Sequence, residues 1–445
     1  MSDSSGTDST GSTDIIDFLA GIRPGERVAD LRRNRAQART NAQHSFRVLL
    51  EAGDDDGDSD GGFTDTERYV VAAFVAGLHQ GRGAAFYTDL LGDVADGDAV
   101  VNAVRESVDA GLTVGPYGTY REPDLAEESV GGPEFTVDPR VRGVLGQRLA
   151  AALEFAHLLV FHPRDCRPER LAPLAWWGWT PRQVVSLAQL ISFLCFQLRA
   201  AAGLAAVRAA DSTHAPLGDS SVVRRPGAAQ EPVEFPPLTG GAFDVLTYPG
   251  LHRPTRFVSH NLGWQPWVPP VEEKDLTDRQ RTALVDPMRA KSAYFRLLAH
   301  DPDALEARTL TDKDIFYNVT DGAGRAEREI SAAVTSRYNG CVYCASVHTG
   351  RALQESTGRE DDVQRLCDDG VDADLGSETW NAIATASVAL TSTPVSFGVD
   401  HVRRLRAAGL DDGAVIDVIN GAAFFNWANR LMLSLGEPEL PARFR

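Results

Sequence analysis

One stretch of the chain gathers the residue types that do covalent chemistry. It runs Glu329-x11-Cys341-Val342-Tyr343-Cys344-x3-His348. A thiolate is a nucleophile and a metal ligand, an imidazole carries protons near neutral pH, and a carboxylate can orient an imidazole and pass its proton on. Asn339-Gly340 reads as a helix stop followed by a new start. Cys341 is therefore expected at the N-terminus of the next helix, where unpaired N–H groups and the positive dipole end favour thiolate. Such placement lowers a cysteine pKa from ~8.5 to within ~3.5–7.5. Cys344 is one turn further, close enough for a disulfide with Cys341. His348 lies at i+4 from Cys344, so the two share a face with Cβ atoms about 5–6 Å apart. Glu329 sits on the preceding helix, in reach of the ring if the two helices pack antiparallel across the Asn-Gly turn. The pattern points to a redox thiol pair with a proton relay behind it.

Other residues invite competing readings. A bare C-x-x-C could be half of a zinc site, but zinc needs about four ligands and the sequence holds no second C-x-x-C. His157 and His162 have zinc-like spacing but lie far upstream. Tyr343 reads as a packing residue with a tethered hydroxyl. Cys166, Cys195 and Cys367 read as buried small hydrophobes, and His79 and His157 as satisfied structural histidines. Trp176, Trp177, Trp179, Trp264 and Trp267 read as core or interface packing. The acidic run at 54–60 lacks the twelfth-position glutamate of a calcium loop and reads as a solvated loop.

The elements that must position the thiol pair are helices. Val70, Val71, Phe74, Val75 and Leu78 form an apolar stripe behind a capping Asp65. Helical pattern resumes over 144–161, 168–177 and 181–209, and again from Leu276 almost to the end, including 302–308, 311–318, 325–339, 341–356 and 411–435. No alternating run reads as a strand, so the class is all-α. Residues 1–14 read as a disordered tail. Residues 15–209 and 271–445 read as two helical domains, joined by a Pro- and Gly-rich linker or wrapping arm at 210–270. An internal repeat relates them. Pro163, Gly178, Phe193 and Arg199 fall on Pro394, Gly409, Phe424 and Arg430, and upstream Glu67 falls on Glu327. In that second register Tyr69, Gly81, Ala84 and Thr88 stand where the later half has Glu329, Cys341, Cys344 and His348. The first half thus reads as a structural copy without the chemistry.

Composition narrows the classes. The chain has 445 residues and a net charge of -18, with Lys274, Lys291 and Lys313 its only lysines. Phosphate contacts need clustered Lys and Arg, so no nucleic-acid or membrane partner is expected. The acidic, lysine-poor balance resembles that of salt-adapted cytoplasmic proteins, since salt screens the self-repulsion. Residues 1–14 lack an apolar core, so no signal peptide is expected and the expected location is cytoplasmic. The apolar run from Val184 to Val207 carries Gln189, Gln197 and Arg199, which suits a buried helix better than a membrane span.

The motif E-x11-C-x-x-C-x3-H, with NGC-x-YC at its centre, resembles the alkyl hydroperoxidase D-like branch of the carboxymuconolactone decarboxylase superfamily. The similarity covers residues about 255–440, with ARTLTDKDIFYN ahead of Glu329 and FFNWANR near the C-terminus. Residues about 15–205 resemble a degenerate member of the same superfamily. The resemblance implies an all-α fold, a homo-oligomer, and a thiol peroxidase that reduces organic hydroperoxides without a metal or organic cofactor. Cys344 then resembles the peroxidatic cysteine, Cys341 the resolving one, and His348 with Glu329 the proton relay. The founding enzymes have a histidine between the cysteines where this chain has Tyr343, as peroxidase-related members do. The expected electron donor is an external dithiol, lipoyl- or thioredoxin-like. Two other readings remain open: a lactone decarboxylase or isomerase of the same superfamily, and a redox-sensing scaffold.

Overall fold

The computed structural model describes residues 14–51, 62–211 and 234–445. The fold is all-α, with eighteen α-helices among the described residues. The tail reading of residues 1–14 lies outside them except for Asp14, which is buried and caps the Ile15–Ala20 helix. The acidic 54–60 run and the linker residues 212–233 also lie outside them.

Two long helices, Pro181–Ala210 and Asp412–Ser434, pack against each other at the centre. Both begin at a capped turn: Thr180 accepts from the Gln183 N–H and Asp411 from the Ala414 N–H. These caps satisfy helix-start N–H groups that have no partner within the helix. The two helices come close where Gly203 meets Ile419; a Cβ on Gly203 would sit 2.6 Å from the isoleucine Cγ2. Phe193 packs edge-on to Trp427 at 5.2 Å, and the Trp427 indole donates to the buried Gln189 Oε1 at 2.9 Å. The apolar interior runs continuously from residues of the first half to those of the second. Pro139–Phe161 and Pro181–Ala210 are long and apolar enough to cross a bilayer, and both are largely buried against neighbouring helices.

Local geometry recurs between the halves in both registers suggested by the sequence. Gly178 and Gly409 both have positive φ, at 83° and 93°. The N–H that follows each bonds five residues back, Trp179 to Leu174 and Leu410 to Leu405. Arg199 and Arg430 are fully buried, and each donates to the carbonyl four residues earlier. Upstream, the helices Asp65–His79 and Arg325–Asn339 match end to end. Arg68 Nε bonds the Phe63 carbonyl as Arg328 Nε bonds that of Ala323.

Three features differ from expectation. A short antiparallel pair joins Gly263–Pro266 to Gly436–Glu439. It forms because the arm is anchored beside it: Trp264 donates to the Met432 carbonyl and Trp267 to Glu437, each at 3.1 Å. The two expected helices 302–308 and 311–318 are one, Pro302–Tyr317, within which the Thr311 hydroxyl bonds back to Ala307. The Arg- and Ala-rich run from Val28 to Glu51, whose sequence reads as one helix, is broken by a 3-10 turn at Arg32–Arg35. The break lets Arg32 turn to Asp14 and Asp17, and Arg35 to Asp417.

Buried histidines set an acid limit. Burial, helped by His162 nearby, holds His157 down at about 3, and burial beside Arg199 holds His79 well below its usual value. A histidine kept neutral in the fold leaves stability intact above about pH 6.5 and loses it as the pH falls, because the unfolded chain takes up the proton first. Each such histidine costs about 1.4 kcal/mol per pH unit below that point. His157→Gln keeps a donor for the Gly111 carbonyl. In urea titrations its stability should drop by about 2 kcal/mol less than wild type between pH 6.5 and 5. Equal drops would remove His157 as the cause.

Candidate active site

The Arg325–Asn339 helix ends on Gly340, which is left-handed at φ 79°. The Cys341 N–H closes the turn onto the Ser336 carbonyl at 2.8 Å. A side chain at position 340 would be strained, and its Cβ would meet the Arg164 side chain at 2.3 Å. The chain then reverses into the Val342–Glu355 helix with Cys341 at its N-cap position. The hairpin lays Glu329 against His348. The imidazole Nδ1 and Glu329 Oε2 are 2.5 Å apart, with the carboxylate 1% exposed.

Arg325, one turn before Glu329, holds the other carboxylate oxygen at 2.5 Å. Its own guanidinium is fixed by the Phe316 carbonyl. Burial alone would raise the Glu329 carboxyl. His348 and Arg325 outweigh it and hold the group below its usual range. Glu329 thus stays ionised and fixes a proton on Nδ1, leaving Nε2 as the ring's unbonded nitrogen. The ring is held by Phe425, 4.0 Å away and edge-on, and by Phe316 at 5.6 Å.

Cys341 and Cys344 are both buried and free, with the Cys344 sulfur near enough to act on the Cys341 thiol. The expected lowering of the Cys341 pKa does not occur. Burial pushes that thiol well up, and the Cys344 sulfur beside it adds to the rise. The helix start is present but shut away from water, so desolvation dominates over the dipole. Tyr343 is also raised, to about 12, chiefly by burial, and keeps its proton. A cleft reaches Cys341 and Tyr343 between the halves. Trp264, Trp267 and Cys166 line it, and Arg121, Arg253 and Glu437 border it. The Cys166 thiol is buried and pushed up to about 12 by burial. From the first half, Tyr120 and Arg164 also face this cleft, and Glu128 pairs with Arg337 at 2.6 and 2.7 Å. Among the described residues no group of three or more His, Cys, Asp or Glu side chains is placed to hold a metal.

Residues 302–388 match the carboxymuconolactone decarboxylase family. No curated protein matches the chain. The matched segment contains Glu329, Cys341, Cys344 and His348, and the structure brings the glutamate to the histidine, with the two buried thiols beside each other. It does not bring the other three cysteines into bonds with them. The matched segment also holds Arg308 and Asp312, which lie in the ARTLTDKDIFYN run but are given no role by it. Arg325 also escaped the sequence reading, although its place four residues before Glu329 on a helix is a recognisable pairing distance. Phe425 lies beyond the segment, and only packing shows that it holds the histidine.

Proposed function

We propose that this chain is a thiol-dependent peroxidase for organic hydroperoxides. The observation that carries the reading is the buried Glu329–His348 pair one helical turn behind Cys344, with the second buried thiol, Cys341, beside it. The match of residues 302–388 to a family of enzymes supports the coarser reading that the site is enzymatic.

The cycle balances in three steps. The Cys344 thiolate attacks the terminal oxygen of R–O–OH. A sulfur–oxygen bond forms, the O–O bond breaks, and the alkoxide leaves and takes from His348 the proton that the ring accepted from the Cys344 thiol, with Glu329 holding the ring in place. The sulfenic acid then condenses with the Cys341 thiol, releasing water and forming the disulfide. An external dithiol attacks the Cys341 sulfur through the cleft and is itself oxidised to a disulfide, returning both cysteines to thiols. A raised Cys341 pKa suits the second thiol, which need not ionise until the sulfenic acid is present. Cys341 rather than Cys344 lines the cleft, which suits attack by a bulky reductant at that sulfur. In this reading the first half is a duplicated copy without the chemistry, serving as a wall of the cleft.

The test is consumption of cumene or tert-butyl hydroperoxide by the full chain with dihydrolipoamide or dithiothreitol. Many turnovers per chain are expected. Consumption no faster than the uncatalysed reaction with either dithiol would sink the proposal.

A further inference from the structure

Two buried donors near the thiol pair have nothing to donate to. Tyr294 and Arg308 are 9% and 6% exposed, yet the tyrosine hydroxyl and the arginine Nε lack any hydrogen-bond partner. Among the described residues no ion pair or hydrogen bond holds the Arg308 guanidinium. It lies instead over aromatic rings, 5.2 Å from that of Phe424 and 6.0 Å from that of Tyr294. Buried polar groups are nearly always satisfied, and two orphans in one aromatic cluster mark a place where a ligand atom belongs.

Their location is the active site. Phe424 stands 5.8 Å from Phe425, the ring that holds His348. Burial pushes the Tyr294 hydroxyl up, and Arg308 and the Cys344 sulfur are near enough to act on it. Burial pushes up the carboxyl of Asp312, one turn beyond Arg308, against the pull of Arg308, His348 and Arg289. Tyr294 comes from the helix Ala293–Leu298 and Arg308 from Pro302–Tyr317, so neither belongs to the thiol hairpin. Tyr294 also packs edge-on to Trp264, which lines the cleft to Cys341.

We propose that Arg308 and Tyr294 form an oxyanion-binding pair beside Cys344, which in the peroxidase cycle holds the leaving oxygen of the hydroperoxide. The inference rests on the peroxidase reading for its substrate but not for the anion site itself. As the O–O bond breaks, negative charge collects on the departing oxygen. A guanidinium N–H and a phenol O–H already in place stabilise that charge without reorganising, and the dry aromatic surround strengthens both. Both residues would touch the reacting atoms and are catalytic in that sense.

The experiment uses the full chain in a Cys341→Ser background and reads Cys344 by peptide mass spectrometry. Alkylation by iodoacetate is compared with alkylation by neutral iodoacetamide, with sulfenic acid formation from cumene hydroperoxide measured alongside. Relative to Arg308→Met, an intact site should favour iodoacetate by about 10-fold. Sulfenic acid formation should slow about 100-fold in Arg308→Met and about 10-fold in Tyr294→Phe, with iodoacetamide rates within about twofold. Arg308→Lys keeps the charge and should retain most of the iodoacetate preference, which guards against a folding artefact. An iodoacetate-to-iodoacetamide ratio unchanged by Arg308→Met overturns the pair, whatever the peroxide does. A ratio that shifts in a protein inert to hydroperoxide leaves the anion site standing and removes only the peroxidase reading.

Discussion

Cys344→Ser should abolish turnover of cumene hydroperoxide, by about 1,000-fold or more, while leaving the fold intact. Serine is close to cysteine in size, but its hydroxyl does not ionise near neutral pH and cannot attack the O–O bond. Cys341→Ser should behave differently. It retains the first attack, so one equivalent of peroxide is consumed and a sulfenic acid accumulates at Cys344, open to trapping by dimedone. Multiple turnover should then fail because no internal disulfide forms. Cys166→Ser should leave turnover within about twofold, since burial holds that thiol protonated. Peroxide consumption and intact-mass analysis of the three variants check all of this. Turnover by Cys344→Ser near the wild-type rate would place the chemistry elsewhere.

The second large effect concerns stability. Asp417 is buried and accepts from Arg35 at 2.7 Å and from the Ala323 N–H at 3.0 Å, with Arg328 3.2 Å away. Arg35 comes from the first half and also bonds the carbonyls of Thr320 and Asp321, so the trio joins the halves beside the start of the Glu329 helix. Burial pushes the Asp417 carboxyl up despite both guanidinium neighbours. The desolvation cost of such a cluster is therefore large, and the intact trio adds little net stability. Removing the carboxylate alone is another matter, because two cations are left in a dry site. Asp417→Ala should lower unfolding stability by about 3–5 kcal/mol, whereas replacing all three residues with apolar ones of similar volume should cost far less. Urea midpoints at unchanged slope measure both. A loss below about 1 kcal/mol for Asp417→Ala would show that water reaches the arginines.

The sequence made the thiol hairpin readable because its determinants are local. Asn339-Gly340 needs a left-handed residue, and the spacing from Cys344 to His348 is one helical turn. Glu329 was readable for a similar reason: Ile330, Ala333 and Val334 place it at the edge of a buried stripe. What escaped depends on packing between distant segments. The Cys341 pKa is set by how completely other elements cover the helix start. Tyr294 and Arg308 lie on separate helices with no shared spacing, so nothing in their order announces that they meet. The strand pair consists of Gly-Trp-Gln-Pro and Gly-Glu-Pro-Glu, four residues each, with no alternating pattern strong enough to stand alone. The 3-10 break at Arg32–Arg35 serves partners hundreds of residues away, as the bond from Arg35 to Asp417 shows.

The crossing of the two long central helices at Gly203 and Ile419 connects parts of one polypeptide more than two hundred residues apart. Separate chains that meet over such a surface come apart when diluted, and their apparent stability follows protomer concentration. Here the same surface stays joined at any concentration, because tethering makes the encounter intramolecular. The wall that the first half raises beside Cys341 is therefore present even in a single molecule at nanomolar levels.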